Sequence, residues 1–374
     1  MPDFTSALYL GMQHPAETLA RWPALTTGMP AALAEPPAAR LVAQEIAQLV
    51  GSARAVLGPS TFHLFWDLCG MLADEGYSFY VDSGAYPIAR WGMERAAAKG
   101  AAVAAFRHHD AAALERLLRG APAGRPVIVA DGLCSACGCH APLGDYLTLA
   151  GREGGLLLVD DTQALGILGE QAGPKKPYGR GGGGSSRRLG LAGPDILTIS
   201  SLAKGFGAPL AILAGSEEAV RHFVQQSDTR VHCSPPSLAA VHAAARALQL
   251  NREQGEALRG RLVARVRQFR RLLREAGLSA DGGLFPVQTL SLPYPEARQV
   301  YGRLTARGVR TVMRRSCRSR GPAMSLAINA GHSPADIEKA VRELAAALPR
   351  QRRLPVARDM SAARFPAAMQ GRKS

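Results

Sequence analysis

The sequence predicts an α/β fold: a large domain on a mostly parallel, seven-stranded sheet, followed by a smaller α+β domain. Three observations carry that expectation. Short β-like runs recur near residues 54–58, 77–82, 101–106, 126–131, 155–160, 196–200 and 210–214. Helical patterns lie between several of them, as from Asp110 to Leu118 and from Leu143 to Ala150. Runs such as Val127-Ile128-Val129-Ala130 and Leu156-Leu157-Leu158-Val159 are apolar throughout. Strands covered on both faces read this way, and alternation with helices favours parallel pairing.

In chain order, residues 1–40 are rich in Ala and Pro and predict an irregular N-terminal arm. Leu41, Val42, Ile46, Leu49 and Val50 recur at helical spacing, and Gly51 suits the end of that helix. Residues 55–72 read as a strand, a turn and a helix. After the seven β-like runs, Pro236 to Ala276 reads as one or two long helices studded with Arg, its basic side chains forming a solvated face. Residues 284–292, 309–313 and 323–329 look like strands, and 334–347 like a helix. These patterns divide the chain into the arm (1–40), a large domain (41–278), a small C-terminal domain (279–348) and a basic, mobile tail (349–374). One insert, Gly179-Arg180-Gly181-Gly182-Gly183-Gly184-Ser185-Ser186-Arg187-Arg188, contains the letters G-x-G-x-x-G. No strand leads into it and it lacks the Lys-Ser/Thr of a phosphate loop, so a flexible loop or lid is expected there.

Composition bounds the function. The chain has 374 residues, 47% of them apolar, which is too apolar for a disordered chain. No apolar run approaches the ~20 residues of a membrane span. The start, Met1-Pro2-Asp3-Phe4-Thr5-Ser6, lacks the pattern of a secretory leader, so a cytoplasmic address is expected. Six cysteines in a chain this long point to reduced thiols rather than a disulfide framework. The net charge of +15 suits an anionic substrate, a phosphorylated cofactor or an acidic carrier protein. Nucleic acid is not expected, because the arm is too short and Pro-rich for a helix-turn-helix.

Two stretches carry chemistry. In Ile196-Leu197-Thr198-Ile199-Ser200-Ser201-Leu202-Ala203-Lys204-Gly205-Phe206-Gly207, a buried strand runs into one lysine set among small residues. Glycine permits close backbone approach, and burial lowers an ammonium pKa and frees the amine to form an imine. In Leu157-Leu158-Val159-Asp160-Asp161-Thr162-Gln163-Ala164-Leu165-Gly166-Ile167-Leu168-Gly169, a strand ends in two carboxylates, where open α/β sheets bind ligands. An acid there keeps a pyridine ring protonated, or else simply caps the next segment.

With both motifs in hand, the chain resembles the fold-type I pyridoxal-phosphate (PLP) transferases, aminotransferase class I/II superfamily. It is most similar to the α-oxoamine synthase group, which includes 8-amino-7-oxononanoate synthase and 2-amino-3-ketobutyrate ligase. The matching segments are Val159 to Gly169 and Ser201 to Gly207. The resemblance implies pyridoxal 5'-phosphate bound at Lys204, with Asp160 on the ring nitrogen and Lys204 and Asp160 as the catalytic pair. It places Ser60, Thr61, Phe62 and Ser201 at the phosphate, Tyr86 on the ring face where the family usually has His, and Ser135 at the phenolic oxygen. It implies that the turn His232-Cys233-Ser234-Pro235-Pro236 reaches the neighbouring subunit of a homodimer with shared sites. The implied reaction forms a carbanion from an amino substrate and acylates it from a thioester, with acyl-CoA or an acyl carrier protein as donor; the alternative is a class I/II aminotransferase.

The sequence departs from the family twice. Gln163 stands where the family has a histidine beside the cofactor, and Gln cannot act as an acid or base near neutral pH. The strand Ala323-Met324-Ser325-Leu326-Ala327-Ile328-Asn329 lacks the family's carboxylate-binding arginine; either Arg318 or Arg320 just upstream reaches in for that role, or the substrate lacks an α-carboxylate or is presented on a carrier. The cluster Cys134-Ser135-Ala136-Cys137-Gly138-Cys139-His140 has soft ligands but no second ligand pair at a zinc-like spacing. It is therefore expected to be a plain loop after a strand, with no metal.

Overall fold

The computed structural model describes residues 1–22, 24–120, 124–315 and 322–348. The tail 349–374, Arg318 and Arg320 lie outside the described residues. In the first half, α1 (Pro37–Val50) leads into β1 (Arg54–Gly58), α2 (Thr61–Asp74), β2 (Ser78–Asp82), α3 (Pro87–Ala98), β3 (Val103–Phe106) and α4 (Ala111–Arg119). Then come β4 (Pro126–Asp131), α5 (Leu143–Arg152), β5 (Leu156–Asp160), α6 (Gly184–Leu189), β6 (Ile196–Ser201) and β7 (Ala211–Gly215). The helices α7 (Glu217–Gln226), α8 (Asp228–His232) and α9 (Leu238–Glu275) follow, and then β8 (Val287–Ser291), α10 (Tyr294–Ala306), β9 (Val312–Arg315), β10 (Pro322–Ala327) and α11 (Pro334–Ala347).

All seven β-like runs of the sequence form one sheet, in the order β1-β7-β6-β5-β4-β2-β3. Only β7 runs against its neighbours. The apolar runs are the central strands, covered on both sides. Along β4, Val127 and Val129 pack with residues of α2 and α3, while Ile128 and Ala130 pack with residues of α5, the alternation a strand imposes. The second sheet, β8-β10-β9, is antiparallel. Its Leu290, Met324 and Leu326 share a core with Ile46 of α1 and Val241 of α9. Helix α10 was not legible in the pattern, and α9 is one continuous 38-residue helix.

The expected arm gives way to α1 at Pro37; before it, the described residues are irregular apart from one turn of 3₁₀ helix, but they are not loose. Phe4 and Tyr9 are fully buried. The Ala327 N–H donates to the Phe4 carbonyl (2.8 Å), and the Ala330 N–H to that of Tyr9 (2.9 Å). The Phe4 ring stacks on His332 at 4.2 Å. The arm thus borders the second sheet, and farther along the His14 ring bonds to the Phe206 carbonyl (2.8 Å), two residues past Lys204.

Two expectations are overturned. The Gly-rich insert is folded: the Gly166 N–H donates to the Gly182 carbonyl (2.7 Å), and the Gly181 N–H to Glu256 of α9 (2.9 Å). Arg259 is not on a solvated face. It is 3% exposed, donating to the Gly166 carbonyl (2.9 Å), Asn251 (2.8 Å) and Glu256 (2.8 Å). A guanidinium carries five donors in a rigid fork, and here it satisfies the Gly166 carbonyl, while Asn251 bonds the Gly181 carbonyl of the insert (2.9 Å).

Candidate active site

The site is built on the carboxyl ends of the parallel strands. Asp82 ends β2, Asp131 ends β4, Asp160 ends β5 and Ser201 ends β6. Asp131 and Asp160 are register partners on adjacent strands, and both are buried. Burial pushes both carboxyls above the usual carboxylate range, and Asp131 rises further because the Asp160 charge faces it. Three groups draw Asp160 back toward its ionised form. Thr162 bonds it through its side chain and its backbone N–H (3.0 Å), and the Lys204 charge lies nearby. Asp131 accepts the backbone N–H of Tyr86 (3.0 Å). Sequence reading singled out Asp160 and missed Asp131, although the same signal was present: an apolar run ending in an acid.

Lys204 lies in the turn after β6. Burial pushes its pKa down, opposed by Asp160 and Asp131. Its Nζ sits 5.2 Å over the centre of the Tyr86 ring. The glycine beside it has a measurable purpose, since a Cβ on Gly205 would fall 2.3 Å from the Leu165 carbonyl oxygen. The two sequence motifs therefore touch through backbone, and Lys204 is fixed against the segment that carries Asp160.

The Asp-Asp pair divides its work. Asp160 faces the site, whereas Asp161 accepts the Ser185 N–H of the insert (2.7 Å). Burial pushes the Asp161 carboxyl up to about 7, with the Ser185 bond opposing. Its Oδ1 and the Ser185 hydroxyl have no hydrogen-bond partner among the described residues.

The other anticipated residues distribute as follows. Ser60 precedes α2, but its hydroxyl pairs with His63 (2.9 Å) rather than capping the helix. The N–H groups around Thr61 and Phe62 are thus left without a side-chain cap, as an anion site at a helix start requires. The Phe62 ring is 38% exposed and lies edge-on to Trp91 at 6.0 Å. Ser201 accepts the Ala203 N–H (3.2 Å) and donates its own N–H to Thr162 (3.0 Å). Ser135 is half-buried in the loop after β4. Gln163 is buried, its Oε1 accepting the Tyr9 hydroxyl (2.8 Å), a partner from the arm that no motif announced. The turn His232 to Pro236 lies by its own chain's α2, where Ser234 and Pro235 line a pocket with Pro59 and His63.

Arg314 is the second missed residue. From β9 it donates to Ser325 (2.7 Å) and Thr289 (2.8 Å), and to the Ala136 carbonyl (3.1 Å) in the loop that holds Ser135.

Comparison with known proteins agrees with this geometry. The family model of the class I and II aminotransferases matches residues 11–344. The chain belongs to that family. The 8-amino-7-oxononanoate synthase of Methylococcus capsulatus is 27% identical over 360 residues, which is 93% of this chain and 89% of that protein. That of Dechloromonas aromatica is 33% identical over 232 residues, 62% of this chain, and the match spans only 57% of that relative's length. Among solved structures, a serine palmitoyltransferase from S. paucimobilis with a bound PLP–myriocin aldimine superposes with a TM-score of 0.79 at 19% identity, covering 92% of this chain and 86% of that one. The fold is that of the fold-type I PLP transferases, and the relatives fall in the α-oxoamine synthase group that the two motifs indicate. Among the described residues no helix is long and apolar enough to cross a membrane.

One titration follows. The folded chain holds the Asp161 proton to about pH 7, while the unfolded chain releases it near the ordinary 3.8. This contribution is complete below about pH 4 and is lost as pH rises through 7. Asp161→Asn keeps an acceptor for Ser185 and removes the titration. Urea unfolding at pH 4.5 and 7.5 should show a smaller loss of stability in the variant, by up to roughly 3 kcal/mol. Equal losses would show that Asp161 is ionised throughout.

Proposed function

We propose that this chain is a pyridoxal 5'-phosphate enzyme of the α-oxoamine synthase type, which forms a carbanion from an amino acid and joins it to an acyl group delivered as a thioester. One observation carries the reading: the Lys204 amine, its charged form disfavoured by burial, opposes the buried Asp131–Asp160 pair and lies over the Tyr86 ring. A buried acid pair, an amine, an open aromatic face and uncapped helix N–H groups fit a flat, phosphorylated, nitrogen-cationic ring. When bound, the cofactor supplies an electrophilic carbon and a sink for the electron pair left on the substrate carbon.

The chain's residues then have separable tasks. Asp160 keeps the ring nitrogen protonated, and Tyr86 offers its face to the ring. The N–H groups at Thr61 and Phe62, with the Ser60 and Ser201 hydroxyls, meet the phosphate, and Ser135 meets the ring oxygen. Lys204, as a free amine, would take and return a proton at the substrate carbon. Gln163, its oxygen held by Tyr9, moves no proton. Arg314 takes the amino-acid carboxylate. From β9 it donates to Ser325 of β10, the strand that lacks the family arginine, and a guanidinium fork suits a carboxylate.

A homodimer suits this reading. Phe62, Tyr86 and Trp91 are 38%, 42% and 45% exposed around the starts of α2 and α3, an apolar surface at the mouth of the site that a second copy would cover. Acyl-CoA or an acyl carrier protein is the expected thioester donor, and the basic surface favours either.

Incubated with pyridoxal phosphate, amino acids and acyl-CoA, the protein should release free thiol only when a suitable amino acid is present. Lys204→Ala should abolish both this release and borohydride trapping of the cofactor. Conversion of the cofactor to its amine form without thiol release would assign an aminotransferase instead. Arg314→Ala should raise KM for the amino acid about 10- to 100-fold, the loss of a charge-assisted pair, with a smaller effect on kcat. An unchanged KM would place the carboxylate elsewhere.

A further inference from the structure

We propose that Cys134, Cys137, His108 and His109 form a tetrahedral site for a zinc-class divalent metal ion, which clamps the loop carrying Ser135. None of these four side chains has a task in the proposed reaction. The sequence withheld the site because it shows only one ligand pair with recognisable spacing. The structure supplies the second from the end of β3.

The cysteine pair is held by its own turn. The Ala136 N–H points at the Cys134 sulfur (3.4 Å), and the Gly138 N–H closes back onto the Cys134 carbonyl (2.8 Å). Gly138 lies at φ +69°, which lets the chain reverse after Cys137, and the Leu133–His140 bridge completes the hairpin. The Cys134 side chain lies beside those of Cys137 and His108 but outside the trio whose ligand atoms converge, so metal binding would draw its sulfur in. The histidine pair is brought together by backbone as well. His109 has φ 55°, and the two rings lie 3.6 Å apart at their centres.

Ligand atoms of His108, His109 and Cys137 all lie within 4.8 Å of one another. The Cys137 sulfur is 3.5 Å from His108 Nε2. A tetrahedral ion with bonds of about 2.3 Å to sulfur and about 2.0–2.1 Å to nitrogen would set that edge at roughly 3.6 Å. The surroundings are those of a ligating imidazole. His108 Nδ1 pairs with Asp82 (2.6 Å), leaving Nε2 for the metal, and Asp82 is itself fixed by the N–H groups of Gly84 (2.7 Å) and His109 (2.9 Å) and by the Tyr146 hydroxyl (3.3 Å). A Cβ on Gly84 would lie 2.2 Å from His108 Nδ1, so the ring has room only because that residue is glycine.

Two thiolates and two neutral imidazoles balance a divalent charge, and this donor set selects zinc over magnesium or calcium. With four protein ligands the site is closed and structural. Its effect on the reaction would be positional, because the clamped loop holds Ser135 and the Ala136 carbonyl that anchors Arg314.

The test is metal content after reduction, incubation with zinc chloride and gel filtration. About one zinc per chain is expected in the wild type and in Cys139→Ser, whose sulfur is exposed at the edge of the loop. Cys137→Ser and His109→Gln should each weaken zinc binding at least tenfold. His109→Gln, at a half-buried position, keeps the test readable if the cysteine variant misfolds. Bound zinc should also shield Cys134 and Cys137 from a thiol reagent until a chelator is added. The proposal is overturned if the wild type retains no zinc, if both variants retain as much as the wild type, or if Cys134 and Cys137 remain disulfide-linked in reductant and zinc is refused.

Discussion

Two carboxylates stand side by side at the dry edge of the central sheet, and the surrounding structure is arranged to make them tolerable. Asp131 and Asp160 are direct neighbours on β4 and β5. Neither faces bulk water, and two adjacent charges in a poorly solvated place repel strongly. Among the described residues the fold answers with one nearby cation, Lys204, and with hydrogen bonds from Thr162 and the Tyr86 backbone. One positive charge for two carboxylates leaves an arrangement that a second cation would complete, and a protonated ring nitrogen is such a cation. The same opposition keeps Lys204 close, although burial disfavours its charge.

Neighbouring parts of the fold bring polar side chains up to both departures from the family pattern. Where a histidine is usual, Gln163 is held by Tyr9, so a residue of the N-terminal arm sets the orientation of that side chain. Ser325 stands on the strand without an arginine, and the adjacent strand supplies Arg314, which bonds directly to it. In an antiparallel sheet, side chains on adjacent strands share a face, so a charge can change strand and still reach the same space. Arg259 shows the converse. It sits in a run of helical arginines, yet it braces the Gly166 turn of the Asp160 motif.

Features governed by local chemistry were legible in the sequence. The seven strands of the large sheet were visible because buried parallel strands are apolar without interruption. Lys204 and Asp160 were visible because each follows such a strand. Features that depend on long-range partners were not. Nothing at Arg259 distinguishes it from Arg261 or Arg265 until α9 is laid against the insert. The insert looked flexible because its glycines are read as freedom, whereas Asn251, Glu256 and Arg259 use them for close approach. His108 and His109 carry no metal-like spacing, because a left-handed residue rather than a helical repeat brings their rings together. Arg314 could not be inferred without the register of β9 on β10.

The most direct measurement is a crystal structure of the protein grown with pyridoxal phosphate. The account predicts continuous density from Lys204 Nζ to the cofactor, the ring nitrogen within hydrogen-bonding distance of Asp160, and the ring lying on Tyr86. Density joined to another lysine, or a ring nitrogen facing away from the Asp131–Asp160 pair, would contradict it.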